Sequence, residues 1–233
     1  MESPFPPRDL TGSSHADVQR ILSATESLDS RLSELFAPVY FPSLNRTQVC
    51  LRQLFTSLSH GRGIRLLVDS TEYQPAFALM RPCIETFLRG VWVCDSASEA
   101  WMDSLIREPD EGEGFRSEHV SWPSLSSIPH DLRTAGRRVE ADQVEDFLGR
   151  LGDGAHADVH GGYRSLVRAF DRTPWLQLVK LLYYRNAVVS NAYAYLAVIA
   201  DRRDLARALN DIVSNNSKCF WTPPGLVGLT RWG

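Results

Sequence analysis

YQPAFALMRPCIETFLRGVWVC, residues 73–94, places three charged side chains at one helical spacing in an otherwise apolar run. Arg81, Glu85 and Arg89 fall four residues apart. On a helix they stack on one face, with the carboxylate between two guanidinium groups. Phe77, Met80, Ile84, Phe87, Leu88, Val91 and Trp92 fill the other faces. A helix apolar nearly all round is a buried one, and charge taken out of water must be paired or used. The stretch predicts a helical core with a polar patch inside it. Pro82 removes a hydrogen bond from the helix interior and crowds the preceding turn, so a kink that frees the carbonyl of Ala78 is expected. Pro75 falls in the first turn, where proline is tolerated.

Upstream, Val49, Leu51, Leu54, Phe55, Leu58, Ile64, Leu66, Leu67 and Val68 predict a long helix over Leu44–Asp69. Gly61 and Gly63 interrupt it at a cost of about 1 kcal/mol each relative to alanine, which suits a bend or the close approach of another helix. Ser70–Gln74 is too short for anything but a turn, so this helix and the central one should be antiparallel neighbours. Residues 1–13 are rich in proline and polar groups and predict a flexible segment. A first helix should start near Ser14, with Asp17 in its first turn. Val18, Ile21, Leu22, Leu28, Leu32, Leu35 and Phe36 give it one apolar stripe, and Pro38, Pro42 and Ser43 end it.

Downstream, Ser96-Ala97-Ser98-Glu99 has the serine-to-glutamate spacing of a capping box from Ser96 and restarts the helix through Trp101 to Ile106. Periodicity is lost over 108–137, an irregular loop that Phe115 and Trp122 could anchor. Val144, Phe147, Leu148 and Leu151 mark a helix over Val139–Leu151, followed by GDGAHADVHGG at 152–162, a loop or short helix. Thr173 and Pro174 form the entry to a second central helix, apolar to about Ala200. Leu205, Leu209 and Ile212 make a last amphipathic helix, and 215–233 is a tail that Phe220, Trp221 and Trp232 can dock. No alternating strand pattern and no internal repeat occurs. The expected fold is all-α: a single bundle of six or seven helices over 14–214.

A chain of 233 residues can bury a substantial core. Its net charge of -3 and pI of about 6.1 give no bulk attraction to nucleic acid or anionic membrane. Lys180 and Lys218 are the only lysines among 25 basic residues, a codon bias before it is a phosphate-binding device. Cys50, Cys83, Cys94 and Cys219 form no CxxC and read as small hydrophobes in a reducing compartment. No signal peptide and no uncharged run of roughly 20 apolar residues is present. A cytoplasmic protein without membrane contact is expected.

Arg81-Glu85-Arg89 is either a bundle-interior anion site, where arginine grips phosphate or carboxylate, or an ion-pair ladder holding helices in register. His156 and His160 are four apart with Asp158 between them, but zinc needs three or four ligands and His119 and His130 lie in or beside the irregular loop. No metal site and no cofactor is expected. His60, on the buried side of its helix, reads as a core histidine. No GxSxG, P-loop, HExxH or dinucleotide fingerprint occurs.

His60, AFALMRPCIETFLRGVW over 76–92 and VHGG over 159–162 together resemble an uncharacterised bacterial all-helical family, a domain of unknown function numbered 6988. The resemblance covers about Thr47 to Asn210. It implies a helical bundle with a polar site at Arg81, Glu85, Arg89 and His160, and no established activity. Some bacterial helical families of this size are similar to the HEPN superfamily, which includes RNases of toxin and defence systems and uses an arginine and a histidine with four to six residues between them. Arg150 with His156 and Arg8 with His15 fit that spacing. Chance alone supplies about two such matches here, so the motif decides nothing. Two functions follow. One is an HEPN-like RNase, or a degenerate relative, in a defence or toxin–antitoxin setting, with His160 as acid/base and arginine stabilising phosphorane-like charge. The other is a non-catalytic helical interaction or ligand-sensing module. RNA or a protein is the candidate partner, and a homodimer is open.

Overall fold

Ser14 and Asp17 fix where the chain first becomes helical. In the computed structural model, which describes residues 12–106, 121–151, 175–220 and 226, the backbone N–H of Ser14 donates to Asp17 Oδ2 at 2.9 Å and that of Asp17 to Ser14 Oγ at 3.4 Å. This reciprocal pair satisfies two donors that a helix start leaves orphaned. Helix α1 then runs His15–Phe36 and buries Val18, Ile21, Leu22, Leu28, Leu32 and Phe36. Helix α2 spans Asn45–Asp69 and α3 spans Tyr73–Asp95. Three residues separate them, and Thr71 takes a left-handed φ of 65° to make the reversal, a conformation a β-branched residue enters at some cost.

The two helices pack antiparallel along their length. The Cys50 thiol donates to the carbonyl of Gly90 (3.1 Å), and the Ser57 hydroxyl to the carbonyl of Cys83 (2.7 Å). A Cβ added at Gly63 would lie 3.0 Å from Leu79. Contacts whose numbers climb on one helix as they fall on the other are the signature of the expected hairpin. Helix α3 stays helical through Pro82, where Thr86 Oγ1 donates to the Pro82 carbonyl at 2.7 Å.

Helix α4 spans Glu99–Ile106, α5 Ile128–Thr134, α6 Arg138–Leu151, α7 Trp175–Ile199 and α8 Arg203–Asn215, with a 3-10 turn at Ser217–Cys219. The described residues thus hold eight helices and no strand: all-α, as expected, with one helix more than the upper count. The extra one is α5, inside the 108–137 span. Its seven residues, with Pro129 in the first turn, are too few for an apolar period to show. It exists because Ile128 and Leu132 are fully buried. The cap of α4 also differs from expectation. The N–H groups of Ser96 and Ala97 both donate to the Trp92 carbonyl, closing α3, so Ser98 becomes the cap and accepts from the Trp101 N–H at 3.1 Å. The entry to α7 at Thr173 and Pro174, the 152–162 segment, Phe115, Trp221 and Trp232 lie outside the described residues. Phe220 does dock: with Cys219 it is buried against Leu28, Leu32 and Leu209.

Helix α7 is the axis. It touches α1, α2, α3 and α8 and is mostly buried from Leu178 to Ala197, with Lys180, Tyr184, Ala187 and Tyr193 half-buried. No described helix is long and apolar enough to cross a membrane. Gly61 sets the α2–α7 spacing, since a Cβ there would meet Val189 Cγ2 at 2.5 Å. Gly61→Ala should lower stability by about 1–3 kcal/mol through overpacking, read in denaturant melts; an unchanged midpoint would mean that the helices are not held this close.

The cysteines are free, with Cys50, Cys83 and Cys219 buried and Cys94 half-buried. Burial pushes the Cys83 thiol up to about 11. Thiolate is the reactive form, so at pH 8 iodoacetamide should label Cys94 well before the other three in the folded protein; early labelling of Cys83, read by peptide mass mapping, would contradict the packing.

Candidate functional site

The helical spacing of residues 81, 85 and 89 does bring the three charges together. Arg81 Nε donates to Glu85 Oε1 at 2.6 Å, and Arg89 Nη2 lies 3.8 Å from Glu85 Oε2. The side chains are 26%, 19% and 30% exposed for Arg81, Glu85 and Arg89, so the patch is half-buried rather than interior. Each helical residue turns about 100°. Glu85 therefore projects roughly opposite Cys83 and Gly90, which face α2, and the triad opens away from that helix.

On that open side stands a tryptophan cluster. Trp92, Trp101 and Trp122 meet edge to face, with centroids 4.8 Å apart for Trp92–Trp101 and 5.0 Å for Trp101–Trp122. Trp92 Nε1 donates to Asp131 Oδ2 on α5 at 2.9 Å. The Arg89 guanidinium sits 5.3 Å from the centroid of the Trp122 ring, within the range of cation–π attraction. Trp122, expected as a loop anchor, packs against the core. Among the described residues Arg89 makes no hydrogen bond, and its Nε is buried without a partner. Arg89 thus combines an aromatic backing with donors free for an oxyanion.

The histidines do not complete the patch within the described residues. His160 and His156 fall outside them. His60 lies on α2, its side chain makes no hydrogen bond among the described residues, and burial lowers its affinity for a proton. No described group of three or more His, Cys, Asp or Glu side chains could hold a metal.

The most deeply buried charge lies elsewhere, at Arg185 on α7, which is 1% exposed. Its Nη1 and Nη2 grip both oxygens of Asp29 on α1 at 2.6 and 2.7 Å, and its Nε donates to the Gly61 carbonyl at 2.9 Å. Asn186 Oδ1 accepts from Arg185 Nη1 at 2.9 Å. Asn186 Nδ2 donates to Thr25 Oγ1 at 2.8 Å and to the Cys219 carbonyl at 3.0 Å. The sequence reading of this helix as apolar to about Ala200 does not single out Arg185. The signal was there: an arginine in a helix apolar on all faces needs a buried partner. A second such pairing joins α7 to α3, where Tyr195 donates to Asp95 Oδ2 at 2.5 Å and Arg137 Nε stands 3.8 Å from the same carboxylate.

Residues 54–222 match a family of unknown function, DUF6988. The chain belongs to that family. The match takes in the triad, Arg185 and the VHGG segment, so the resemblance seen in the sequence holds at family level. No curated protein and no solved structure matches the chain significantly.

Removing Glu85 leaves two guanidinium groups facing each other in partial burial. Exposed pairs contribute about 0–1 kcal/mol and fully buried ones cost about 3–5 kcal/mol to break. Glu85→Ala should therefore cost about 1–3 kcal/mol, with Glu85→Gln milder. A denaturant-melt loss below that range would make the triad an exposed ladder.

Proposed function

We propose that the protein is a non-catalytic helical module that recognises an oxyanion, phosphate or carboxylate, on an RNA or protein partner through Arg89 and its neighbours. Support comes from one observation above all: Arg89 is held against Trp122 with no hydrogen bond of its own among the described residues. An arginine fixed on an aromatic face is already oriented, so less side-chain freedom is lost when an oxyanion docks. Arg81 is spent on Glu85, which also keeps Arg89 in line. The near-neutral overall charge favours selective docking over bulk nucleic-acid affinity.

The catalytic alternative is an HEPN-like RNase in a defence or toxin–antitoxin setting, and it requires His160 as acid/base. The family match spans both the triad and His160 but assigns no activity. Incubating the full chain with total RNA separates the two. The module should leave RNA intact, and where it retains RNA in a filter-binding assay, Arg89→Ala should weaken retention about tenfold. Cleavage by the wild type that His160→Ala abolishes would replace the module with the nuclease.

A further inference from the structure

On the far side of α2 from α3, between α1 and α7, lies an open cleft of about 470 Å³, a volume typical of small-molecule sites. Three arginines line it: Arg62 and Arg65 from α2 and Arg185 from α7. Asp29 is the carboxylate among the lining residues, and Arg185 already holds it with two hydrogen bonds. Arg65 is 15% exposed, with Nε 3.3 Å from Asp29 and Nη1 3.6 Å from Glu26. Neither contact is an aligned hydrogen bond, and Arg65 Nε is buried without a partner. Arg62 is exposed and has no ion pair among the described residues. A largely buried guanidinium whose ion pairs are long and poorly aligned is only partly satisfied, a deficit that an incoming oxyanion relieves. Apolar lining comes from Leu58 and Phe55, one and two turns before Arg62 on α2, and from Val189 on α7; Phe55 is 46% exposed. Tyr193 presents its ring beside them, its hydroxyl 3.2 Å from Ser33 Oγ.

We propose that this cleft binds a small organic anion, with a carboxylate or phosphate group held by Arg62 and Arg65 and a flat apolar body against Phe55, Leu58 and Val189. Burying the half-exposed Phe55 ring against the ligand supplies hydrophobic gain, while the arginine pair supplies charge-assisted hydrogen bonds. Because Gly61 and Arg185 join α2 to α7 directly behind the cleft, an occupant would brace the α1–α2–α7 junction. The site stands independently of Arg89 and Trp122.

Isothermal titration of the full chain with phenyl phosphate, benzoate and inorganic phosphate tests this. At least one of the two aromatic anions should bind saturably with one site per chain, about tenfold more tightly than inorganic phosphate. Arg62→Ala and Phe55→Ala change exposed side chains, so both should stay folded by circular dichroism, and each should weaken binding about tenfold. Arg89→Ala should leave binding unchanged, which separates this site from the triad. Absence of saturable binding by either aromatic anion up to millimolar concentration would overturn the proposal. So would binding that survives either the Arg62 or the Phe55 substitution undiminished, or that Arg89→Ala removes.

Discussion

The bidentate pair between Arg185 and Asp29 is the constraint on which the bundle depends. A guanidinium 1% exposed cannot give up its charge and must find acceptors where it lies. It finds them on three elements at once: the Asp29 carboxylate on α1, the Gly61 carbonyl on α2 and the neighbouring Asn186, which reaches Thr25 and the Cys219 carbonyl. Apolar burial drives α7 into the centre but does not choose its rotation or height, because hydrophobic contact is non-directional. The fork geometry of arginine does choose.

Several local features follow from that placement. Gly61 has to be glycine because its Cα faces both Val189 and the Arg185 side chain. The carbonyl it offers Arg185 is near enough only because no Cβ intervenes. Cys219 and Phe220 are drawn back onto the bundle after α8 because the Cys219 carbonyl accepts from Asn186 and both side chains pack with Leu28 and Leu32. On the other side of the molecule, α3 carries a looser version of the same device. Glu85 lies between arginines at the edge of the core rather than inside it, which leaves Arg89 able to engage something else.

What the sequence made legible is what repeats or is local. The stripes of α1, α2, α3 and α7 were visible as apolar periods, the start at Ser14 as a serine with an acid three residues on, and the α2–α3 hairpin as a turn too short to allow another arrangement. The triad was visible because its members share one helix. Arg185 was not, because Asp29 lies 156 residues away and no local pattern announces a partner at that distance. Trp122 was legible as an anchor but not as the ring behind Arg89, for the same reason. Helix α5 escaped because it is shorter than two turns of useful periodicity and is held by burial of Ile128 and Leu132. The Ser98 cap escaped because the closing bonds of α3 occupy Ser96 and Ala97 first.

A double-mutant cycle on Asp29 and Arg185 probes this dependence most directly. Denaturant melts of Asp29→Ala, Arg185→Met and the double variant give the three free energies. Each single substitution should cost about 3–5 kcal/mol because it leaves a buried group without its partner, while the double should cost far less than the sum. Single losses under about 1 kcal/mol that simply add in the double variant would contradict the account, since the pair would then be a passenger in a bundle held by apolar contact alone.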